Sequence, residues 1–470
     1  MGIAYPIGEL CRAAWARHDS ADVPGFFVRT ISISSACALG AVGASVLLPE
    51  LFTNSVHPER ELWAASVALT LLFEGIRRLI RNELGPNQLV TILAGLGLVA
   101  IIPQFEGATW DYECYAAAGK AVATGGDLYA WAHGAPTILG TRYIYSPLLA
   151  NLFSLLQRIP DRGLAEAPAY LLWIAVVYWA ACAFVPLLLR VLHEVYGVPW
   201  STAAAAAVLL GTLSTPALRT IQYSQPNGIV ADCLLAWLLL SGTREGRGVG
   251  LLSFAAILKT SPVLFFPLLL AQRRWRAGVM AIGCCAAIVA LSVASIGARP
   301  WVEFLRAAPR VQTFGYHRDN SFASFLSASV RVMGVKSDAV ARVGGALFAG
   351  GVLLALGARS RRPWPWEVRE REPKSAIERH FPAVLFAMCL VSPLLWEHHW
   401  VWAALPCVLV TNAAIESGRG MKSCVGTLLI FFVPTFDAFP FSYHRLLGAF
   451  LVMADAVASA PPPDPQPVGA

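Results

Sequence analysis

Charge is what this chain has least of. Asp, Glu, Lys and Arg make up 14% of its 470 residues, where a soluble domain carries roughly 25%. That shortage excludes an ordinary water-soluble enzyme. Cysteines in structural spacing are missing as well. The ten cysteines include no Cys-x-x-Cys pair and no metal-ligand spacing, which argues against a disulfide framework or a zinc module. Cys37, Cys182, Cys233, Cys284, Cys285, Cys389 and Cys407 lie in apolar runs and read as small hydrophobes. Residues 1–27 carry Arg12, Arg17, Asp19 and Asp22 without a compact apolar core and a small-residue cleavage site, so no cleavable signal peptide is expected. No internal repeat is visible, which disfavours a transporter built from repeats.

What remains is oil and aromatic rings. Hydrophobic residues are 56% of the chain, with 15 Trp and 23 Phe, and the mean hydropathy is +0.58. This composition predicts an all-α polytopic membrane protein with interfacial aromatic belts. Apolar stretches recur from residue 28 to residue 459, several of them shorter than the ~20 residues of a straight span. We expect about 11–13 transmembrane helices, with further helices lying in the outer interface. The net charge of +7 reads as cytoplasmic loops that set topology, not as nucleic-acid binding.

Lys and Arg content assigns sides. Residues 1–27 are expected in the cytoplasm, followed by two transmembrane helices within 28–87 and a larger transmembrane domain over 88–459. Within that domain, 359–379 is the densest charge run and is placed inside. The loops 106–143 and 298–340, and the end of the span near Trp396, fall outside. The tail 460–470 is proline-rich and expected to be disordered. Arg244, Arg247, Arg273, Arg274 and Arg276 all look cytoplasmic. Either 248–272 is a broken hairpin turning at Lys259-Thr260-Ser261-Pro262, or the rule fails near 243–247.

The polar stretch 106–147 organises the rest. From Asp111 it reads as a short interfacial helix ended by Gly125-Gly126. Tyr112, Tyr115, Ala116, Gly119 and Ala123 share one side at helical spacing. Two roles for Asp111 stay open: an N-cap that accepts backbone N–H groups, or a general base facing a cavity at the bilayer surface. Other polar groups interrupt the oil at Tyr223-Ser-Gln225-Pro-Asn227, at Lys259, and at Trp396-Glu-His398-His399-Trp400. A softer cluster runs from Tyr316 through Asn320-Ser321 to Arg331. Each has a plainer alternative. Gln225 and Asn227 could tie helices together, Lys259 could snorkel, and the histidines and tryptophans could form an interfacial belt. Glu397 reads as a structural carboxylate. Adjacent histidines diverge on a helix, and Asp111-Tyr-Glu113 is only superficially a metal-binding pair, so no metal is expected.

Charge counts put Asp111, the 298–340 loop and the histidine pair on one face. A carboxylate, cations and imidazoles beside lipid suit a substrate with a phosphate and a lipid tail.

The order of motifs resembles the polyprenol-phosphate-mannose-dependent α-1,2-mannosyltransferases of bacteria, glycosyltransferase family 87, in the type C glycosyltransferase group. The matching residues are Asp111-Tyr-Glu-Cys-Tyr115-Ala-Ala with Gly125 and Leu128-Tyr129; Tyr143-Ile-Tyr145-Ser-Pro147-Leu; Gln225-Pro-Asn227 followed by Lys259; and Ser392-Pro393-x-x-Trp396-x-His398-His399. Asn320-Ser321 with Arg331 is a weaker match. Ser146 departs from the family's usual second proline, and the spans at 28–48 and 62–80 precede its usual first helix.

The resemblance implies a type C helical bundle in the plasma membrane with its site on the extracytoplasmic side. It implies inverting transfer of a hexose, expected to be mannose, from a polyprenyl-phosphate donor to a lipid-linked or envelope glycan, with no cofactor and no nucleotide-sugar domain. Asp111 would be the base. His398, His399, Lys259, Arg331, Tyr115, Tyr145, Gln225, Asn227, Asn320 and Trp396 would contact substrate. Two rival readings are a flippase for lipid-linked sugar and a glycan ligase or polymerase.

Overall fold

The computed structural model describes residues 110–133, 143–156, 167–241, 245–308, 319–334, 338–359, 364–367, 375–418, 420–433 and 439–458. The expected N-terminal segment and first spans, residues 309–318 of the second outer loop and the C-terminal tail lie outside them.

Among the described residues the chain forms 16 α-helices and no strand. They are α1 (Trp110–Ala123), α2 (Pro147–Leu156), α3 (Ala167–Arg190), α4 (Trp200–Val208), α5 (Thr215–Gln222), α6 (Asn227–Leu240), α7 (Glu245–Leu258), α8 (Phe265–Ala271), α9 (Trp275–Ile296), α10 (Arg299–Ala307), α11 (Phe322–Val332), α12 (Asp338–Arg359), α13 (Ala376–Leu390), α14 (Ala404–Glu416), α15 (Met421–Phe431) and α16 (His444–Ala458). The all-α polytopic membrane class is what the composition led us to expect.

Among the described residues three helices are long and apolar enough to cross a membrane: Leu172–Val195, Trp275–Ile296 and Asp338–Arg359. They occupy different places. The first is 76% buried inside the protein, while α9 and α12 are each only 11% buried. Val279, Leu291, Leu347 and Leu354 on those two helices stand exposed, which is how a lipid-facing helix looks. A fourth candidate span is broken: Trp200–Leu213 and Thr215–Gln222 meet at 41°. Ser214 makes the break, because its hydroxyl caps α5 by accepting from the Ala217 N–H at 3.3 Å.

Local sequence sets the ends that matter for the site. Helix α1 stops as expected at Gly125, whose φ of +73° suits glycine. Its N–H donates to Val122 O and the Gly126 N–H to Ala121 O at 2.7 Å, the double closure of a Schellman motif. Tyr112, Tyr115, Ala116 and Gly119 are buried as their spacing implies, but Cys114 and Ala118 are buried too, and Ala123 is exposed. The helix is therefore wedged into the bundle rather than lying on it by a single stripe.

Gly119 shows how tight the wedge is. A Cβ there would lie 2.7 Å from the Phe153 backbone and Cβ on α2. Gly119→Val is expected to lower stability by about 1–3 kcal/mol through overpacking, read as a fall in the thermal midpoint of the purified protein.

Candidate active site

Five elements converge on one polar cluster. Helix α1 brings Asp111 in its first turn. The carboxylate accepts a hydrogen bond from the Gln225 side-chain amide across 114 residues of chain. The carboxylate is thus bound to another element as well as sitting at the start of its own helix. Gln225 Oε1 accepts in turn from the Tyr145 hydroxyl at 3.0 Å. Lys259 Nζ lies 4.9 Å from the centre of the Tyr145 ring and 2.9 Å from His399 Nε2.

Each member is held by a local device. Gln225 follows Ser224, a non-glycine residue at φ +54°. Ser224 N–H donates to Ile221 O and Gln225 N–H to Thr220 O at 2.8 Å, so the end of α5 is a left-handed helix cap made with serine. That conformation costs about 1–2 kcal/mol for an L-residue. Trp173 Nε1 donates to the Ser224 carbonyl at 2.9 Å and holds the turn. Such strain survives only where surroundings enforce it; here it aims Gln225 at Asp111.

Tyr145 sits in a brace of phenols. Tyr129 OH donates to the Tyr145 carbonyl at 2.6 Å, and Tyr143 OH to the Ser146 carbonyl at 2.8 Å. Tyr115 packs edge-on against Tyr145 at 4.9 Å and near Phe153 and Trp173. Lys259 stands where the 248–272 segment breaks, between α7 and a 3-10 turn at Ser261–Leu264.

The histidines lie on a 3-10 turn, Glu397–Ala403, and all seven of its residues are buried. A remote stretch fixes the entry to this turn. Asp319 Oδ1 accepts from the Ser321 and Leu395 N–H groups, each at 2.9 Å. Asn320 N–H donates to the Leu395 carbonyl at 2.7 Å, and Asp319 pairs with Trp396 as an isolated antiparallel bridge.

His399 has a defined proton arrangement. The Trp396 backbone N–H donates to Nδ1 at 3.0 Å, so a neutral ring carries its hydrogen on Nε2. The Lys259 nitrogen opposite must then accept, which makes it a free amine in this state. His398 turns the other way, its ring 5.9 Å from Tyr223. Beyond Tyr223 is Arg219, which stacks over that ring at 5.7 Å and pairs with Glu397 at 3.0 Å.

Asp111 is part-buried. Burial pushes its carboxyl from 3.8 up to about 6, against the opposing pulls of the Gln225 hydrogen bond and of Lys259 when that amine is protonated. A carboxyl there can still ionise at neutral pH and is a stronger base than a free aspartate.

The structure thus joins Asp111, Gln225, Tyr145, Lys259 and His399, with Tyr115 and His398 packed against them. Trp396 and Asn320 serve the frame. Asn227 is fully buried: its carbonyl accepts from Trp402 Nε1 at 3.2 Å, while neither side-chain amide atom has a partner among the described residues. It therefore does not tie helices through its side chain. Arg331 is not brought in. It is half-exposed in the last turn of α11 and meets Asp338 at 3.4 Å.

Arg219 is the residue that sequence reasoning missed. Its helix, Thr-Pro-Ala-Leu-Arg-Thr-Ile-Gln, looks ordinary, and its carboxylate partner lies 178 positions away. Glu397 is the structural carboxylate expected, shared between Arg219 and the fully buried Arg445 at 3.7 Å. Glu397→Ala would leave Arg445 buried without that carboxylate and is expected to cost about 3–5 kcal/mol, seen in thermal unfolding.

The profile of Glycosyltransferase family 87 matches residues 143–393, more than half of the chain; Tyr145, Gln225 and Lys259 lie inside the match, and Asp111 and the histidine pair outside it. The chain belongs to that family. It is therefore a glycosyltransferase, and the flippase and polymerase readings are set aside. Two curated relatives agree. The chain is 25% identical over 351 residues, 73% of its length and 78% of the relative's, to the polyprenol-phosphate-mannose-dependent alpha-(1-2)-phosphatidylinositol pentamannoside mannosyltransferase of Mycolicibacterium smegmatis. It is 26% identical over 374 residues, 74% of its length and 82% of the relative's, to the polyprenol-phosphate-mannose-dependent alpha-(1-2)-phosphatidylinositol mannoside mannosyltransferase of Mycobacterium tuberculosis. No solved structure matches the chain.

Proposed function

We propose that this glycosyltransferase transfers a hexose, mannose by analogy with its relatives, from a polyprenyl-phosphate donor to a lipid-linked glycan acceptor. Transfer takes place with inversion on the extracytoplasmic side of the plasma membrane. The observation that carries the reading is the run from the Asp111 carboxylate through Gln225 and Tyr145 to the Lys259 amine and His399. It sets a carboxylate in one cluster with a lysine amine and an imidazole.

In this reading Asp111 takes the proton of the attacking acceptor hydroxyl. The hydroxyl oxygen bonds to the anomeric carbon as the bond from that carbon to the phosphate oxygen breaks, and the electron pair leaves with polyprenyl phosphate. The departing phosphate gains one unit of negative charge. Arg219 and Lys259, once protonated, are the cations at hand, with His398 between the Arg219 wall and the centre. One carboxylate suffices because the leaving group already carries charge well; glycosidases, by contrast, need two. Gln225 orients the base, and the Asn227 amide is a candidate for sugar hydroxyls, since buried polar atoms are ordinarily paired.

The test is incorporation of labelled mannose from polyprenyl-phosphate mannose into lipid by proteoliposomes holding the purified protein and a mannosylated phosphatidylinositol acceptor. Donor-dependent product is expected. Turnover of a nucleotide sugar instead would overturn the reading.

A further inference from the structure

A large, mainly apolar cavity lies away from the reaction centre. Helices α12, α13, α14 and α16 enclose a cavity of about 390 Å³, within the usual ~300–1,000 Å³ of ligand pockets. Leu356, Ala383, Ala387, Val410 and Met453 give it apolar walls. One end is different, because Arg359, Trp364 and Trp366 line it.

That end is built. The Trp364 and Trp366 rings stack 5.0 Å apart at 4°. Trp364 Nε1 donates to His380 Nδ1 at 3.1 Å and Trp366 Nε1 to the Arg379 carbonyl at 3.2 Å, so the rings are fixed from behind. The Arg359 guanidinium lies over Trp364 at 4.8 Å. Stacking uses the guanidinium face, and its N–H donors lie in its plane. Among the described residues of this corner, Glu367 pairs with Arg379 at 2.9 Å.

Position separates this corner from the catalytic cluster. Helix α13 passes Trp366 at Arg379, in its first turn, and ends near the histidines, where Cys389 Sγ meets the His399 carbonyl at 3.8 Å. Ten residues of helix put about 15 Å between the two ends. Helix α12, with 22 residues, is about 33 Å long and matches a ~30 Å hydrocarbon core, which puts Arg359 at a membrane face. One phosphate cannot serve both Arg359 and the Lys259–Arg219 centre.

We propose that this cavity binds an anionic phospholipid of the bilayer, its phosphate on Arg359 above the tryptophan pair and an acyl chain between α12 and α13. Such a lipid would fasten a helix that otherwise faces the membrane onto the bundle.

The full chain would be reconstituted in nanodiscs of equal parts phosphatidylglycerol and phosphatidylcholine, released into mild detergent, and its retained lipid counted by native mass spectrometry. No sugar donor is present, so the result is independent of the proposed reaction. The wild type is expected to retain phosphatidylglycerol in preference. Arg359→Gln should lose that preference by about tenfold, the scale of one charge-assisted phosphate contact, and Arg359→Lys should keep part of it. Ala387→Phe should expel both lipids while mannosyl transfer continues, which shows the variant folded. Equal retention of the two lipids by the wild type, or an unchanged preference in Arg359→Gln, would overturn the proposal. So would displacement of the retained lipid by added polyprenyl phosphate, which would give the cavity to the donor.

Discussion

Asp111→Asn is expected to lower the rate of sugar transfer by about 100- to 10,000-fold, the usual contribution of a positioned general base, while donor binding changes little. Asparagine keeps the shape and can still meet Gln225, but it cannot take up a proton. The contrast is measured by single-turnover transfer beside equilibrium binding of the polyprenyl-phosphate donor. The pH profile provides a second reading. Asp111 works as the carboxylate, and burial sets its carboxyl at about 6. The rate should therefore be flat above that pH and fall about tenfold per unit below it. A variant that retains full transfer, or a profile that rises as pH falls, would remove Asp111 from the chemistry.

Lys259 carries the second large expectation. Replacing it by methionine or by arginine should each cost about 100- to 1,000-fold in turnover, the scale of losing one electrostatic group aimed at developing charge. The arginine variant is the informative one. A guanidinium remains charged and cannot accept from His399 Nε2–H, whereas the amine can do so and can then take a proton as phosphate charge appears. Single-turnover rates of the two variants, with donor affinity measured alongside, decide the matter. An arginine variant with near-normal turnover would mean that only a standing positive charge is required there.

Much of this centre was legible in the chain because polarity is conspicuous in oil. Asp111, Gln225, Lys259 and the histidine pair stand out in apolar surroundings that offer few other reasons for them, and the structure brings them together. The helix from Asp111 to Gly125-Gly126 was legible from its spacing and terminator. Its depth was not, since a face of Tyr112, Tyr115 and Ala116 reads alike whether it meets lipid or protein. Arg331 and Arg219 mark the limit from opposite sides. Near lipid, an arginine committed to a carboxylate seven positions on looks no different from one aimed at a substrate. An arginine whose partner is remote gives no local sign at all. Only the packed chain shows that Arg331 meets Asp338 and Arg219 meets Glu397.

The 3-10 form of Glu397–Ala403 has one more consequence. With three residues per turn, neighbours diverge by about 120°. His398 looks to Tyr223 and the Arg219 side, and His399 looks to Lys259. A single short coil thus feeds two walls. The two rings lie 4.7 Å apart, so a substitution that retunes either wall in a descendant of this sequence is felt at the other imidazole.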